Sequence, residues 1–481
     1  MNSSLDILNI FIPNMIILLG MLVQVIFCLI NKNIRFYKSA KWITVGTLFV
    51  SLISLFDVQF EPIYYAFSDA LISNVYTVFM QAMILISGII CALLTKKAVA
   101  SRRNRAFQFH AIYLGTILSA MLLVAVNDYL SMFITMEMLS FGCMFLIAFA
   151  KGYKSKEAMF KYLITNAVAT CVFLFGISYL YGVTSSVNFT VINDFYMQHT
   201  AEWIYTLSVV FITCGLLFKL AIFPFANWIL DIYEVSATSV VAFISSVPKI
   251  AVFGILCRLL VFNFSYSFEF PVILLVLASI TVVWANLIAI RQKNIKRLLA
   301  ASSSANASYM IFAASLVSVY NISTVLFYLL TYIIMNLGVF SAVVLLENSA
   351  FSNKLYEFKS FAYTNPMFSL AFLVALLGLA GMPLTSGFVS KIYLLSAIAQ
   401  SGLVFLPFLI VLICAIVIAL YYYVRIAKLM FEKDSSQTER YVIYKTESAS
   451  IVLYVCAAIT FLIGIFPNHV IELCKLIAYN I

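Results

Sequence analysis

The chain has 481 residues, of which 64% are hydrophobic and 10% are charged, and its mean hydropathy is +1.06. Soluble domains carry about 25% charged residues, so this composition excludes an ordinary soluble protein and indicates an integral membrane protein. The sequence does not show the period-two alternation that is typical of an outer-membrane barrel. We therefore predict an all-α polytopic membrane protein, because helices are the other way to satisfy every backbone group in lipid.

Apolar runs separated by polar breaks predict about fourteen membrane-spanning helices, because each span needs about 20 apolar residues. In chain order the predicted helices cover residues 6–30, 40–56, 74–95, 108–126, 128–150, 159–182, 204–230, 238–262, 270–290, 299–319, 322–346, 366–399, 402–430 and 449–473. This number of spans excludes a single anchor or a signal peptide, and we interpret residues 1–481 as one transmembrane domain.

Lysine and arginine indicate how the chain crosses the membrane. Of 29 basic residues, 24 lie in or beside odd-numbered connections, whereas even-numbered connections carry acids such as Asp57, Glu61 and Asp194. Basic residues near helix ends stay on the side where the chain was made, so we predict that both termini face outward. The net charge of +10 is then a topology signal that suits lipid headgroups, and it implies no nucleic-acid partner.

Three lysines lie within predicted spans, where an ammonium group is costly. Lys249 is near the middle of its helix, Lys219 precedes Pro224 by five residues, and Lys391 follows Pro383 by eight. Helices interrupted by proline tend to line hydrated cavities, because their freed backbone groups must be satisfied. These lysines therefore indicate an ion pathway. The alternative for any one of them is a structural salt bridge between helices.

One acidic residue, Glu137, lies well inside a predicted span, and Asp128 is at the outer end of the same helix. A buried carboxylate costs about 2.5 to 3.5 kcal/mol on insertion scales, which is expensive for a purely structural contact. A lysine in a proton relay needs such a partner, because its ordinary pKa near 10.4 holds the proton too firmly at neutral pH. Arg258 lies about a turn from its helix end, and we predict that it reaches the headgroups.

Several long motifs occur in order along nearly the whole chain. They are FITMEMLSFGCMF, KEAMFKYLITNAVATCVFLFGISYLYG, FKLAIFPFANWILDIYE, VVAFISSVPKIAVF, NLIAIRQKNIKRLLAASSSANASYMI, AGMPLTSGFVSKIYLL and ALYYYVRIAKLMF. Through these motifs the chain resembles the proton-conducting, antiporter-like membrane subunits of respiratory complex I, the NADH-quinone oxidoreductase. The sequences DIYE at 231–234 and YYYVR at 421–425 are similar to the subunit N branch of that family.

The resemblance implies two inverted five-helix repeats with broken seventh and twelfth helices. The implied parts of the single domain are three N-terminal helices, a first repeat, a second repeat, and an inner loop with the C-terminal helix, over residues 1–107, 108–262, 263–430 and 431–481. In the sequence itself, only the pairing of a proline with a lysine, at Pro224 with Lys219 and at Pro383 with Lys391, supports the repeat.

The resemblance also implies a role for each buried charged residue. Glu137 is implied to pair with Lys219, Lys249 to continue a proton path toward the centre, and Lys391 to stand at the outlet. The family often has a histidine where this chain has Asn306. Asparagine orients water but does not take up a proton near pH 7. The link to the outlet is therefore expected to depend on water or on the hydroxyls of Ser302, Ser303 and Ser304.

The sequence shows no phosphate loop, no dinucleotide fingerprint and no iron–sulfur pattern. Its nine cysteines are scattered without a C-x-x-C, and its three histidines are isolated, so we expect no metal and no cofactor on this chain. The resemblance implies that NADH, FMN, iron–sulfur clusters and quinone belong on or between other subunits. The implied partners are the other membrane-arm subunits, the bilayer and protons.

We therefore predict a proton-translocating membrane-arm subunit of a NADH:quinone oxidoreductase, without a redox site of its own. The predicted location is the bacterial inner membrane, with the mitochondrial inner membrane as the alternative. Alternative functions are a subunit of a multi-subunit cation/proton antiporter, or of a related pumping complex fed by ferredoxin or hydrogen. A scaffold subunit without transport would need no buried central lysines.

Overall fold

The computed structural model describes residues 4–30, 37–56, 64–95, 105–150, 152–198, 203–262, 269–348, 353–433 and 448–481. Its helices up to the middle of the chain are α1 (Ser4–Ile30), α2 (Tyr37–Phe56), α3 (Val75–Leu94), α4 (Ala106–Ala125), α5 (Tyr129–Ala148), α6 (Tyr153–Thr184), α7 (Phe189–Gln198), α8 (Trp203–Lys219), α9 (Asn227–Val235) and α10 (Thr238–Phe262).

The later helices are α11 (Glu269–Arg291), α12 (Ile295–Ala314), α13 (Val319–Asn348), α14 (Phe361–Thr364), α15 (Pro366–Ala380), α16 (Ser386–Gln400), α17 (Leu406–Phe431), α18 (Ser448–Ile465) and α19 (Asn468–Tyr479). Short 3-10 helices cover Leu355–Phe358 and Leu403–Phe405. Strands β1 (Tyr64–Ala66) and β2 (Leu71–Ser73) form an antiparallel hairpin, with Tyr65 opposite Ile72.

The predicted class, a helical membrane protein, is confirmed. Eleven helices of the described residues are long and apolar enough to cross a membrane, and α8 and α15 are shorter apolar helices. The count of fourteen spans and the outward termini stay predictions. Basic residues that support the orientation at 32, 35, 96, 97, 102, 103, 151, 440 and 445 lie outside the described residues.

Both predicted interruptions are present. The segment predicted at 204–230 is divided into α8 and α9, and the segment at 366–399 is divided into α15 and α16. One predicted helix was too long. We predicted a single span over 449–473, but α18 ends at Ile465 and α19 begins at Asn468. Pro467 lies between them and lacks the amide hydrogen that would continue the first helix.

The chain forms two compact units. The first comprises residues 1–220, 235–270 and 479–481, and the second comprises residues 221–234 and 271–478. The division of the single transmembrane domain at 107, 262 and 430 is a sequence prediction that these units do not test.

The first unit is built around α10. Its most apolar 18-residue window is entirely buried, and the helix packs against α3, α4, α5, α7 and α8. A helix that is apolar all round belongs in the interior of a bundle, where neighbouring helices cover every side. Of all the helices in this unit, α6 and α8 share the most extensive mutual packing.

Glycine makes the close approach of α6 and α8 possible. A Cβ atom added to Gly176 of α6 would lie 2.9 Å from the backbone nitrogen of Ile212 and 2.9 Å from the carbonyl oxygen of Ser208. Backbone atoms of a packed helix do not shift easily, and small residues commonly occupy such crossings in membranes. On the α8 side, Gly215 has the same role against Phe173. This contact fixes how α6 faces the end of α8.

In the second unit, α13 occupies the interior, with 89% of its most apolar window buried. It packs against α12, α15, α16 and α18, and α15 also contacts α17 and α18. The two helices α15 and α16 approach closely, since a Cβ on Gly387 would overlap the carbonyl oxygen of Gly378. Neighbouring α12 is also buried over nearly its whole length.

We expect Gly176→Ala to destabilise the protein, because the added methyl group meets the backbone of α8. Overpacking of this kind costs typically about 1–3 kcal/mol, and the melting midpoint of the membrane complex should fall by a few degrees. The matched control is Gly182→Ala in the same helix, where a Cβ meets nothing within 4 Å. Equal melting midpoints for the two variants would contradict the packing argument.

Candidate functional site: buried charges at interrupted helices

Glu137 and Lys219 meet inside the first unit. Glu137 lies in the middle of α5, and Lys219 is the last residue of α8. Lys219 Nζ is 3.6 Å from Glu137 Oε1, with 7% of the lysine side chain and 17% of the glutamate side chain exposed. A pair so deeply buried has lost most of its hydration, so each charge depends on nearby polar groups.

Three polar side chains surround this ion pair. Thr170 Oγ1 donates a hydrogen bond to Glu137 Oε1 at 2.7 Å, and Asn166 Nδ2 donates to Glu137 Oε2 at 3.1 Å. Lys219 Nζ donates to Asn166 Oδ1 and to Ser140 Oγ. Asn166 therefore bridges the two charges, because its amide nitrogen contacts the carboxylate and its carbonyl oxygen contacts the ammonium group.

Sequence reasoning missed Asn166, Thr170 and Ser140. A signal was present, since Asn166 and Thr170 are four residues apart on one face of an apolar helix, and Ser140 is three residues after Glu137. Such spacings also occur in ordinary hydrogen bonds between membrane helices. Only the packing of α6 against α8 shows whether such residues contact an ion pair or form ordinary hydrogen bonds between helices.

The position of Lys219 follows from the end of α8. The chain is not helical over residues 220–226, where Ala221 has a φ of 56° and Pro224 lacks an amide hydrogen. A residue other than glycine rarely adopts a positive φ, and such backbone is often found at functional sites. The last carbonyl groups of a helix carry partial negative charge, so this end of α8 favours a cation.

Lys249 lies at the centre of α10, in the same unit, with 2% of its surface exposed. Pro248 precedes it without ending the helix. Because proline has no amide hydrogen, α10 lacks one backbone hydrogen bond at this point. The amino group of Lys249 therefore lies in the interior of the unit, beside a local irregularity of a buried helix.

Lys391 lies beside the second interruption, and its contacts differ from those of Lys219. It lies in α16, is 4% exposed, and donates hydrogen bonds from Nζ to the carbonyl oxygens of Leu379 at 2.9 Å and Ala380 at 2.7 Å. These carbonyls are at the C-terminal end of α15, where a helix leaves its last acceptors unpaired. Gly381 permits the contact, since it has a φ of 82° and its Cβ would lie 2.6 Å from Lys391 Cδ.

Asn306 and the three serines lie in the second unit, on buried α12. Asn306 Nδ2 donates to the carbonyl oxygen of Ser302 at 2.8 Å, and the Tyr328 hydroxyl donates to Asn306 Oδ1 at 2.9 Å. Ser303 Oγ accepts from the Tyr332 hydroxyl at 3.1 Å. Tyrosines of other helices, which sequence reasoning did not single out, therefore contact the residues proposed to orient water.

The prediction that Arg258 reaches the headgroups is wrong. Arg258 is 0% exposed, and its Nη1 donates to the carbonyl oxygens of Val124 at 2.9 Å and Val126 at 3.1 Å, at the C-terminal end of α4. Its guanidinium also lies 5.5 Å from the ring centroid of Tyr76. Distance from a helix end suggested snorkelling, but tertiary packing covers this end of α10, so protein carbonyls take the place of headgroups.

A helical membrane protein with ammonium groups buried at interrupted helices is the class that this fold and site define. The family model for the membrane region of NADH:quinone oxidoreductase and Mrp antiporters matches residues 126–419. This match covers more than half of the chain, and the chain therefore belongs to the NADH:quinone oxidoreductase/Mrp antiporter membrane family.

Curated relatives and a solved structure agree with this assignment. NADH-quinone oxidoreductase subunit N 2 of Rhizobium meliloti is 31% identical over 417 residues, which are 86% of each chain. NAD(P)H-quinone oxidoreductase subunit 2 of Prochlorococcus marinus is 31% identical over 96% of this chain and 93% of its own. A chain of respiratory complex I from Thermus thermophilus, solved with bound aureothin, has a TM-score of 0.80 and 25% identity, covering 96% of this chain and 99% of its own.

We expect Thr170→Val to lower proton pumping several-fold, because it removes the hydroxyl that donates to Glu137 while it keeps the shape of the side chain. A lost hydrogen bond to a buried charged group costs roughly 1.5–3 kcal/mol. The measurement is NADH-driven acidification of inverted membrane vesicles per unit of assembled complex. Thr165→Val is the control, because Thr165 is exposed on the same helix and its hydroxyl bonds to the carbonyl oxygen of Lys161. Equal pumping by both variants would contradict a role for Thr170.

We expect Gly381→Ala to displace Lys391 and to reduce pumping, because the new methyl group overlaps the lysine side chain. Gly402→Ala is a matched control, since Gly402 also has a positive φ, of 116°, but its Cβ would meet nothing within 4 Å. Alanine is strained at both positions, by of the order of 1 kcal/mol in the left-handed backbone of Gly381. The strain is larger at Gly402, whose φ of 116° and ψ of 164° are nearly confined to glycine. Vesicle acidification and the melting midpoint should be measured together. If the two variants lose pumping equally, the backbone and not Lys391 is responsible.

Proposed function

We propose that this chain is the proton-translocating membrane-arm subunit, of the subunit N type, of a NADH:quinone oxidoreductase. The observation that carries the proposal is the buried pair of Glu137 and Lys219 at the end of an interrupted helix, 3.6 Å apart. Membership of the family and similarity to named quinone oxidoreductase subunits support this function.

The pair is suited to switching because its members belong to different helices. Two unit charges 4 Å apart interact by about 4 kcal/mol at the effective dielectric constant of 20 that suits protein sites. If quinone reduction elsewhere in the complex moves Glu137 or changes the charge near it, Lys219 loses this stabilisation and releases its proton more easily. Asn166 contacts both groups, so a shift of α6 alters both contacts together.

Lys249 and Lys391 extend the proposed route, each in its own unit. Lys249 receives the proton released by Lys219, and both residues lie on helices of the first unit that contact one another, α8 and α10. Lys391, which donates hydrogen bonds to the last carbonyl groups of α15, is the proposed outlet. Within this scheme, Asn306 and Ser302, Ser303 and Ser304 orient water on the way to the outlet.

The redox reaction belongs to other subunits in this proposal. NADH, FMN, iron–sulfur clusters and quinone bind on or between them, and the present chain contributes proton transfer only. Its proposed partners are the sister antiporter-like subunits and the small membrane subunits, in the bilayer of a bacterial inner membrane or, alternatively, a mitochondrial one. Among the described residues, no group of three or more His, Cys, Asp or Glu is arranged to hold a metal ion.

A cation/proton antiporter subunit is the second candidate, because the matching family model also covers Mrp antiporters. An antiporter would use the same buried lysines, but it would exchange sodium for protons without a redox substrate. A pumping complex fed by ferredoxin or hydrogen differs only in the electron donor. These three functions are distinguished by supplying the same vesicles with NADH, with a sodium pulse, or with reduced ferredoxin or hydrogen as the electron donor.

We expect Lys219→Ala to abolish NADH-driven acidification of inverted vesicles by removing the switching cation, while the complex still assembles. Glu137→Gln should cause a similar loss, because it removes the charge and keeps the size of the side chain. Quinone reduction is recorded in the same samples to test coupling.

The matched control is Lys161→Ala. Lys161 lies on α6 in an exposed ion pair with Glu157, 2.9 Å apart, and exposed pairs contribute little. Native pumping by Lys219→Ala would end the relay proposal. Acidification by sodium pulses and not by NADH, with the native chain, would favour the antiporter.

A further inference from the structure

Buried tyrosines from three helices converge on Asn306 in the second unit. Tyr328 belongs to α13, Tyr423 to α17 and Tyr309 to α12, and each is at most 2% exposed. A buried tyrosine hydroxyl needs a hydrogen-bond partner, and the helix backbone is usually already satisfied. Here the partners are polar side chains, which makes a network instead of isolated contacts.

The network has a continuous hydrogen-bonded core. The hydroxyls of Tyr423 and Ser302 are hydrogen-bonded to one another, and Asn306 Nδ2 donates to the carbonyl oxygen of Ser302 at 2.8 Å. On its other side, Asn306 Oδ1 accepts from the Tyr328 hydroxyl at 2.9 Å. An amide oxygen has two lone pairs and an amide nitrogen has two hydrogens. Nδ2 also donates to Ser302 Oγ at 3.5 Å, so Asn306 keeps capacity for a bridging water at its carbonyl oxygen, which has a second lone pair.

One face of α12 leads from this core to Lys391. Ser302, Asn306 and Tyr309 are spaced by four and three residues, so they share that face. The rings of Tyr309 and Tyr328 are in edge contact, with centroids 6.2 Å apart, and Lys391 Nζ is 5.7 Å from the centroid of Tyr309.

A buried hydroxyl on the helix of Lys391 has no protein partner. The hydroxyl oxygen of Ser386 makes no hydrogen bond among the described residues. Ser386 begins α16, the helix of Lys391. A buried hydroxyl without a partner costs roughly 1–3 kcal/mol, and internal water commonly satisfies such groups. The approach to Lys391 is therefore polar enough to hold water.

We propose that the hydroxyls of Tyr423, Ser302 and Tyr328 form a proton wire to Lys391, with Asn306 as the residue that positions it. This inference rests on the proposed proton-pumping function and adds Tyr423 and Tyr328, which the family resemblance did not supply.

Each step of the wire conserves atoms and charge. A hydroxyl oxygen accepts one proton, forming a new O–H bond, as its own O–H bond breaks and passes that proton to the next oxygen. The first proton comes from a hydronium ion beside Tyr423, which breaks one O–H bond and becomes water. Every hydroxyl oxygen ends with one proton and every water with two, so no side chain of the wire stores a charge. Water held by Asn306 connects Ser302 to Tyr328, and water beside Tyr309 passes the proton to neutral Lys391. Asn306 keeps its own protons throughout.

The competing explanation is that these hydroxyls only hold α12, α13 and α17 together. Tyr423→Phe and Tyr328→Phe remove one hydroxyl each and leave the ring in place. Tyr113→Phe is the matched control, because the Tyr113 hydroxyl is also buried but donates to the carbonyl oxygen of Gly88, at 2.6 Å, in the first unit. All variants are studied in the assembled complex in inverted vesicles.

We expect each of the two wire variants to reduce NADH-driven acidification by about tenfold. This is less than the roughly 10²–10⁴-fold effect of a lost general acid or base, because water can enter the space that the hydroxyl leaves. The Tyr113→Phe variant should pump within twofold of the native chain. Adding Asn306→His to Tyr328→Phe should restore pumping, since histidine itself takes up and releases a proton near pH 7.

Pumping within twofold of native by both wire variants, with no pumping by Lys391→Ala, would overturn the wire and leave the proposed function intact. Native pumping by Lys391→Ala as well as by Lys219→Ala would instead overturn the proposed function. Loss of pumping that matches a loss of assembled complex, without rescue by Asn306→His, would assign the tyrosines a structural role and also overturn the wire.

Discussion

The cost of holding a charge away from water organises this protein. An ammonium group in the membrane interior must replace its hydration with other polar contacts, and the chain does this in more than one way. Lys219 is surrounded by a carboxylate, an amide and a hydroxyl from α5 and α6. A buried ion pair contributes little net stability once its desolvation is counted. Cohesion of the bundle is therefore a weak explanation for its presence, and this is why we propose a role in proton transfer.

Lys391 and Arg258 show a second solution, which needs no carboxylate. Each side chain donates to the last carbonyl groups of a helix, α15 for Lys391 and α4 for Arg258. Helix ends carry unpaired acceptors and partial negative charge, so they act as fixed counter-charges. The first solution can be switched, because a carboxylate can move or be neutralised. The second is built into the backbone, so it does not depend on the position or protonation of another side chain.

Close packing makes both solutions possible. Gly176 and Gly215 bring α6 against α8, so Asn166 of α6 reaches Lys219 at the end of α8. Gly381 supplies the left-handed turn after α15, and its missing Cβ leaves room for the lysine stem. The polar contacts would be lost if the helices stood one methyl group farther apart. In this protein, therefore, the residues that make the site and those that space the helices are different, and both are required.

The sequence by itself determined that the chain is a helical membrane protein and where its helices are interrupted, after α8 and after α15. It also predicted that Glu137, Lys219, Lys249 and Lys391 lie inside spans. These properties depend on local hydrophobicity, proline and charge, which can be read along the chain. Only the tertiary structure decided which groups surround each charge. It placed Asn166 and Thr170 at the ion pair, gathered tyrosines around Asn306 and buried Arg258 against α4. Contacts between distant helices depend on packing geometry, and hydrophobic periodicity does not encode which polar residue faces which neighbour.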